Sequence, residues 1–189
     1  LTHDEVTTLF HEFGHGLHHM LTRVEVGSVS GINGVPWDAV ELPSQFLENW
    51  CWEEEVLALV SRHYETGEAL PAPLLQRLLR AKHFQAGLLM LRQLEFALFD
   101  MEIHAGSPAR PGFSIQGALD AVRAELSVLP VPAFNRFANS FTHVFAGGYA
   151  AGYYSYKWAE RLSADAYSRF EQEGIFNAAT GRSFRESIL

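Results

Sequence analysis

The stretch HEFGH, residues 11–15, sets His11 and His15 four positions apart with Glu12 directly after the first. Residues i and i+4 lie one turn apart on a helix face, so two imidazoles there can converge on one metal ion. Glu12 is rotated by roughly 100° from His11, so its carboxylate borders the metal without ligating it. From that place it can take a proton from a metal-activated water and pass it to a leaving amine. Glu41 offers a third ligand, at the start of a further predicted helix and after a glycine-rich loop that lets the chain turn back. Two His plus a carboxylate, with one position open, is the usual catalytic zinc set, whereas a structural zinc closes all four positions, usually with cysteines. Cys51 is the only cysteine. On spacing alone, Glu41 also fits as an ordinary carboxylate at a helix N-terminus, placed for the macrodipole.

His18 and His19 stand within the same helical stretch, but neither pairs with a histidine that an acid follows, because position 16 is Gly. They read as cleft wall or helix-end polar residues. Two His and a carboxylate also describe the facial triad of non-haem iron oxygenases, although that chemistry leaves Glu12 without a task. A di-iron bundle site needs a second E-x-x-H, and no second copy is present. His3, His63, His83 and His104 read as surface or satisfied core residues.

The elements that must position these groups are mostly helical. Thr2-His3-Asp4-Glu5 reads as a capping box, with Thr2 the N-cap and Glu5 reaching back. Val6, Leu9, Phe10, Phe13, Leu17, Met20 and Leu21 recur at helical spacing, which predicts that this face enters a core. His11, His15 and His18 then face the other way. Residues 26–40 predict an irregular excursion or short hairpin. A second helix is predicted from about Leu42 to Tyr64, with Pro43 in its first turn. After a connector at 66–73, a long amphipathic stretch runs from about Pro73 to His104, with Leu75, Leu78, Leu79, Leu88, Leu89, Leu91, Leu94 and Leu98 in its stripe. Ser114–Leu129 reads as helix, and a glycine-rich turn at 146–152 leads into a helix through Tyr156 to about Glu173. No internal repeat is present.

The chain has 189 residues, 48% of them hydrophobic, enough for one sizeable core with room for a smaller subdomain. A net charge of −8 argues against nucleic-acid binding, which needs clustered Lys and Arg. One cysteine forbids an intrachain disulfide and points to a reducing compartment. The apolar runs are short and broken, so no membrane span and no signal peptide are expected. A helix starts almost at Leu1 and another helical pattern is still running at Leu189, which reads as a piece of a longer protein.

The segments HEFGHGLHHMLT, SGINGVPWDAVELPSQFLENWCWE, FTHVFAGGYAAGYYSYKWAE and ADAYSRFEQEGIFN resemble the thimet-oligopeptidase-like family of zinc metallopeptidases over essentially the whole chain. The resemblance implies one Zn2+ held by His11, His15 and Glu41, with Glu12 as the base that activates water. It implies further that His143, Tyr149 and Tyr156 bind substrate and stabilise the oxyanion. Without it, the tyrosines at 149, 153, 154 and 156 would read as aromatic packing. Asp38, three residues before Glu41, is a candidate to orient a ligand histidine, with a loop N-cap role as the alternative. The implied fold is a mostly α, helical zincin-type catalytic-domain fragment of a larger metallopeptidase whose two halves enclose a channel. Residues 1–189 would form the C-terminal part of that catalytic domain, without the N-terminal helical half and the extreme C-terminus. The implied activity is hydrolysis of internal bonds in short peptides. Its alternatives are a dipeptidyl carboxypeptidase of the same family and a non-catalytic metal-binding fragment. Expected partners are short peptides and the missing remainder of the polypeptide, with no nucleic acid and no membrane.

Overall fold

The computed structural model describes residues 1–105 and 107–189. Eleven α-helices are present among them: α1 His3–Met20, α2 Trp37–Val40, α3 Leu42–Glu48, α4 Glu54–Val60, α5 Ala72–Ala81, α6 Ala86–His104, α7 Ile115–Leu126, α8 Phe137–Ser140, α9 Thr142–Phe145, α10 Ser155–Glu173 and α11 Ala178–Ser187. No strand forms among the described residues, and β pairing is limited to an isolated antiparallel bridge, Arg62–Ala69. No described helix is long and apolar enough to cross a membrane. The chain divides into two compact units, residues 1–84 with 158–189, and residues 85–157.

In the first unit, α1 opens on the expected capping box. The Thr2 amide donates to Glu5 Oε2 at 2.7 Å and the Glu5 amide to Thr2 Oγ1 at 3.3 Å. Within residues 1–189 the predicted apolar face is not the one that α1 packs against its neighbours. Gly14 and His18 are its buried residues, while Leu9, Phe13 and Met20 are 57%, 53% and 63% exposed. The cause lies at Gly14. A Cβ there would stand 2.5 Å from the Pro43 carbonyl oxygen and from Ser44 Cα, so glycine lets α1 and α3 meet backbone to backbone. The histidine side lies against α3 because α3 and the residue before it carry carboxylates for it to pair with. Periodicity reports where the apolar stripe is, not whether a closer polar match exists on the other side.

The helix predicted from about Leu42 to Tyr64 is broken. α2 ends before Glu41, α3 stops at Glu48, Asn49–Trp52 is a tight 3-10 turn, and Glu53 is extended before α4. Side chains of the broken stretch bond to distant parts of the chain. The Trp50 indole donates to the Ile175 carbonyl at 3.1 Å, and the Tyr167 hydroxyl donates to Glu53 Oε1 at 2.7 Å. Residues 26–40 form a 3-10 turn, turns and α2, with no hairpin. The core of this unit is aromatic: Phe46, Tyr167 and Phe170 are buried, and Phe184 stacks on Phe46 at 3.9 Å.

The stretch from Pro73 to His104 also divides, at Gln85, whose φ of +56° no helix accommodates. α5 belongs to the first unit, and α6 opens the second. The leucine stripe there does not face the core: Leu89, Leu94 and Leu98 are exposed, while Phe96, Phe99 and Ile103 pack inward with Leu119, Phe141 and Tyr153. α6 is apolar on more than one side, so its period cannot choose a face. Ser114 caps α7 by accepting from the Gly117 amide at 3.2 Å, and α7 ends at Leu126, short of the expected Leu129.

Candidate metal centre

α1 and the start of α3 bring His11, His15 and Glu41 together. Both Nε2 atoms lie 3.3 Å from Glu41 Oε2, and the three ligand atoms are all within 4.8 Å of one another. Zinc binds imidazole nitrogen and carboxylate oxygen at about 2.0–2.2 Å, and a tetrahedron with arms of about 2 Å has edges of about 3.3 Å. The two His–Glu separations match that edge, and two imidazoles with a carboxylate form a donor set that can hold a metal ion. Glu41 is also 1% exposed, and an ionised carboxylate is costly to bury unless it is paired. The Ser44 hydroxyl donates to Glu41 Oε2 at 2.9 Å, which fixes the carboxylate while its oxygen faces the two imidazoles.

Glu48, which the sequence did not single out, accepts from His11 Nδ1 at 2.6 Å. This bond occupies Nδ1, so Nε2, turned to Glu41, is the nitrogen that can ligate once a metal displaces its proton. Burial lowers the proton affinity of His11, but the hydrogen bonds its ring donates to Glu41 and Glu48, together with their negative charges, outweigh it and raise the pKa to about 9. The negative field responsible also favours a bound cation. Nδ1 of His15 is buried with no hydrogen-bond partner among the described residues, so the two rings are not supported equally. Asp38 lies on α2 and makes neither Nδ1 bond; the carboxylate on His11 Nδ1 is that of Glu48. Glu12 is exposed on α1 beside the two histidines. His18 is buried and its pKa is lowered, by burial first and then by the neighbouring His15 and His19. His19 is closely approached by Gly31, at φ +61°, where a Cβ would lie 2.6 Å from its Nδ1. Cys51 is buried as a thiol; burial pushes its pKa up to about 11, with Glu48 adding to the rise and a Thr7 hydrogen bond opposing it.

The remaining predicted residues lie in the second unit. The Tyr149 and Tyr156 rings stack at 5.1 Å and 19°, with His143 at 6.2 Å and 6.3 Å from them. Both tyrosines are half-buried and His143 is exposed. Tyr153 is instead a core residue, its hydroxyl paired with Gln93 Oε1 at 3.2 Å.

Comparison with known proteins gives a coherent picture. The model of Peptidase family M3 matches residues 1–189. Oligopeptidase A of Salmonella typhimurium is 64% identical over 188 residues, covering 100% of this chain and 28% of the relative. Oligopeptidase A of Escherichia coli is 63% identical with the same coverage. Dipeptidyl carboxypeptidase of Escherichia coli is 40% identical over 187 residues, 98% of this chain and 27% of the relative. The chain thus spans about 28% of the length of the curated oligopeptidase A relatives it matches.

Proposed function

We propose, from the premise that this chain belongs to peptidase family M3, that the whole protein is a zinc-dependent oligopeptidase hydrolysing internal bonds of short peptides. The observation that carries the reading is the 3.3 Å approach of both His11 Nε2 and His15 Nε2 to the buried Glu41 carboxylate. Bound there, zinc would polarise the scissile carbonyl and make water a better nucleophile. His11, His15 and Glu41 hold the ion, and Glu48 keeps His11 in the ligating tautomer. Glu12 takes the proton of the attacking water and returns it to the leaving amine. Its exposure supports this, because a base that shuttles protons must reach both water and substrate. Tyr156, with Tyr149 and His143, donates hydrogen bonds to the oxyanion; a phenol is a competent donor for that charge. The single buried cysteine supports a cytoplasmic setting.

Glu12→Gln in the full-length protein tests the reading. Zinc content should stay at one per chain, while kcat falls by a factor of about 10²–10⁴, the usual contribution of a general base. Full activity with zinc retained removes Glu12 from the mechanism. Iron in place of zinc, with oxygen-dependent turnover, would replace a peptidase by an oxygenase. A relative named dipeptidyl carboxypeptidase keeps that specificity as the second reading. Cleavage of a peptide with an amidated C-terminus rules out an obligate carboxydipeptidase.

A further inference from the structure

The second unit holds a buried carboxylate that no role described so far uses. Asp100, on α6, is 0% exposed. Its Oδ1 accepts from the Ala151 amide and its Oδ2 from the Tyr153 amide, both at 2.9 Å. The His104 ring, one turn on, sets Nδ1 2.9 Å from Asp100 Oδ1 and 2.8 Å from the Asp100 carbonyl oxygen. One side chain therefore binds both amides that flank Gly152, in the segment joining α9 to α10. The first half of that segment is tied differently. The Gly147 amide returns to the Thr142 carbonyl at 2.7 Å, and the Tyr149 amide to the His143 carbonyl at 3.1 Å. Ala151 sits at φ +55°, a left-handed conformation that a residue with a Cβ keeps only where its surroundings impose it. The surroundings here are the Asp100 carboxylate.

The order of residues gives the pin its consequence. Tyr149 precedes the held amides by two residues and Tyr156 follows them by three, and the two rings stack. The turn between them fixes their mutual placement, and the Gly152 and Ser155 amides close it on the Tyr149 and Gly152 carbonyls at 2.9 and 3.0 Å. We propose that Asp100 is the positioning residue for the Tyr149–Tyr156 pair, acting through the Ala151 and Tyr153 amides, with His104 orienting the carboxylate. The assignment rests on the reading of those tyrosines as oxyanion and substrate donors. A hydrogen-bond donor for a transition state is useful only if its place is fixed beforehand, and small misplacements are costly. Asp100 is a residue for this task because a carboxylate offers two acceptor oxygens and no donor. An asparagine would set an amide N–H against one of the backbone N–H groups and leave that donor buried and unmet.

The test uses the full-length, zinc-loaded enzyme and a blocked peptide substrate. Asp100→Asn should lower kcat by about 10–100-fold with KM little changed, the signature of a contact made in the transition state. Zinc content should not move, and hydrogen exchange at the Ala151 and Tyr153 amides should accelerate while α7 stays protected. His104→Ala keeps the carboxylate and should move kcat and exchange in the same directions by less; it carries the test if Asp100→Asn fails to fold. Tyr149→Phe and Tyr156→Phe are measured alongside. Full kcat in both tyrosine variants overturns the underlying reading, and the proposal with it. Slow tyrosine variants beside an Asp100→Asn enzyme of full kcat overturn the proposal alone. A slow Asp100→Asn enzyme whose two amides remain protected also overturns it, because the loss then has another cause.

Discussion

Among individual residues, Glu48 supplies the carboxylate that holds the His11 ring in the proposed ligand set. Its carboxylate lies 2.6 Å from Nδ1 and is one-third exposed, so removing it leaves little buried volume unfilled. Partners of ligand histidines set ring orientation and basicity, and losing one costs about 10–100-fold in metal affinity. Glu48→Ala should weaken zinc binding by that factor in a chelator competition, and Glu48→Gln, which keeps an acceptor, by less. The melting temperature of the metal-free protein should fall modestly, because the pairing that raises the His11 pKa is lost, and unaltered zinc affinity in Glu48→Ala would show the bond to be incidental. His11, Glu12 and His15 were legible in the sequence because their relation is local: helix geometry alone fixes what stands one turn away. Glu41 needed a loop length as well. Glu48 was illegible, since its reach to His11 exists only once α1 lies on α3. Asp100 was illegible for the same reason, as its bonds span more than fifty residues of chain.

Between elements, the decisive contact is the meeting of α1 and α3 at Gly14. Replacement by Ala would force a Cβ to within 2.5 Å of two backbone atoms, and backbone cannot give way as a flexible side chain does. Overpacking of this kind costs about 1–3 kcal/mol. Gly14→Ala should therefore lower stability by that amount in denaturant unfolding. It should also weaken zinc binding, because His11 and His15 ride on the displaced helix while Glu41 stays with α3. Loss of stability with zinc affinity intact would mean that α1 moves along its own axis rather than away from α3. Helix existence was readable from the sequence, and so was the α1 cap, because caps and periods are local. Which face is buried was not readable for α1 or α6. In α1 a glycine contact and polar pairing overrode the apolar stripe, and in α6 Leu89, Leu94 and Leu98 compete with Phe96, Phe99 and Ile103 for the core. The break at Gln85 comes with a left-handed residue, which composition does not announce.

For the molecule as a whole, composition left room for a smaller subdomain beside one sizeable core, and the chain divides into two compact units with separate buried clusters. The sequence could not show this division, because residues 158–189 rejoin the first unit across an intervening 73-residue unit, 85–157. Every candidate metal ligand lies in the first unit. A ligand that binds the native state alone stabilises it by RT ln(1 + [L]/Kd), about 2.7 kcal/mol at a hundredfold excess over Kd. Amides that exchange only through openings that release the ion should then slow by about 100-fold. Those amides are the ones in α1 and α3, whose separation parts His11 and His15 from Glu41. Chelation of the zinc-loaded protein should thus accelerate exchange in α1 and α3 and leave the α6 and α7 amides at their former rates. Equal acceleration in all four helices would mean that the two units open together and that zinc stabilises both. Unchanged exchange in α1 would be more damaging, because an ion held by His11, His15 and Glu41 cannot stay bound while α1 leaves α3.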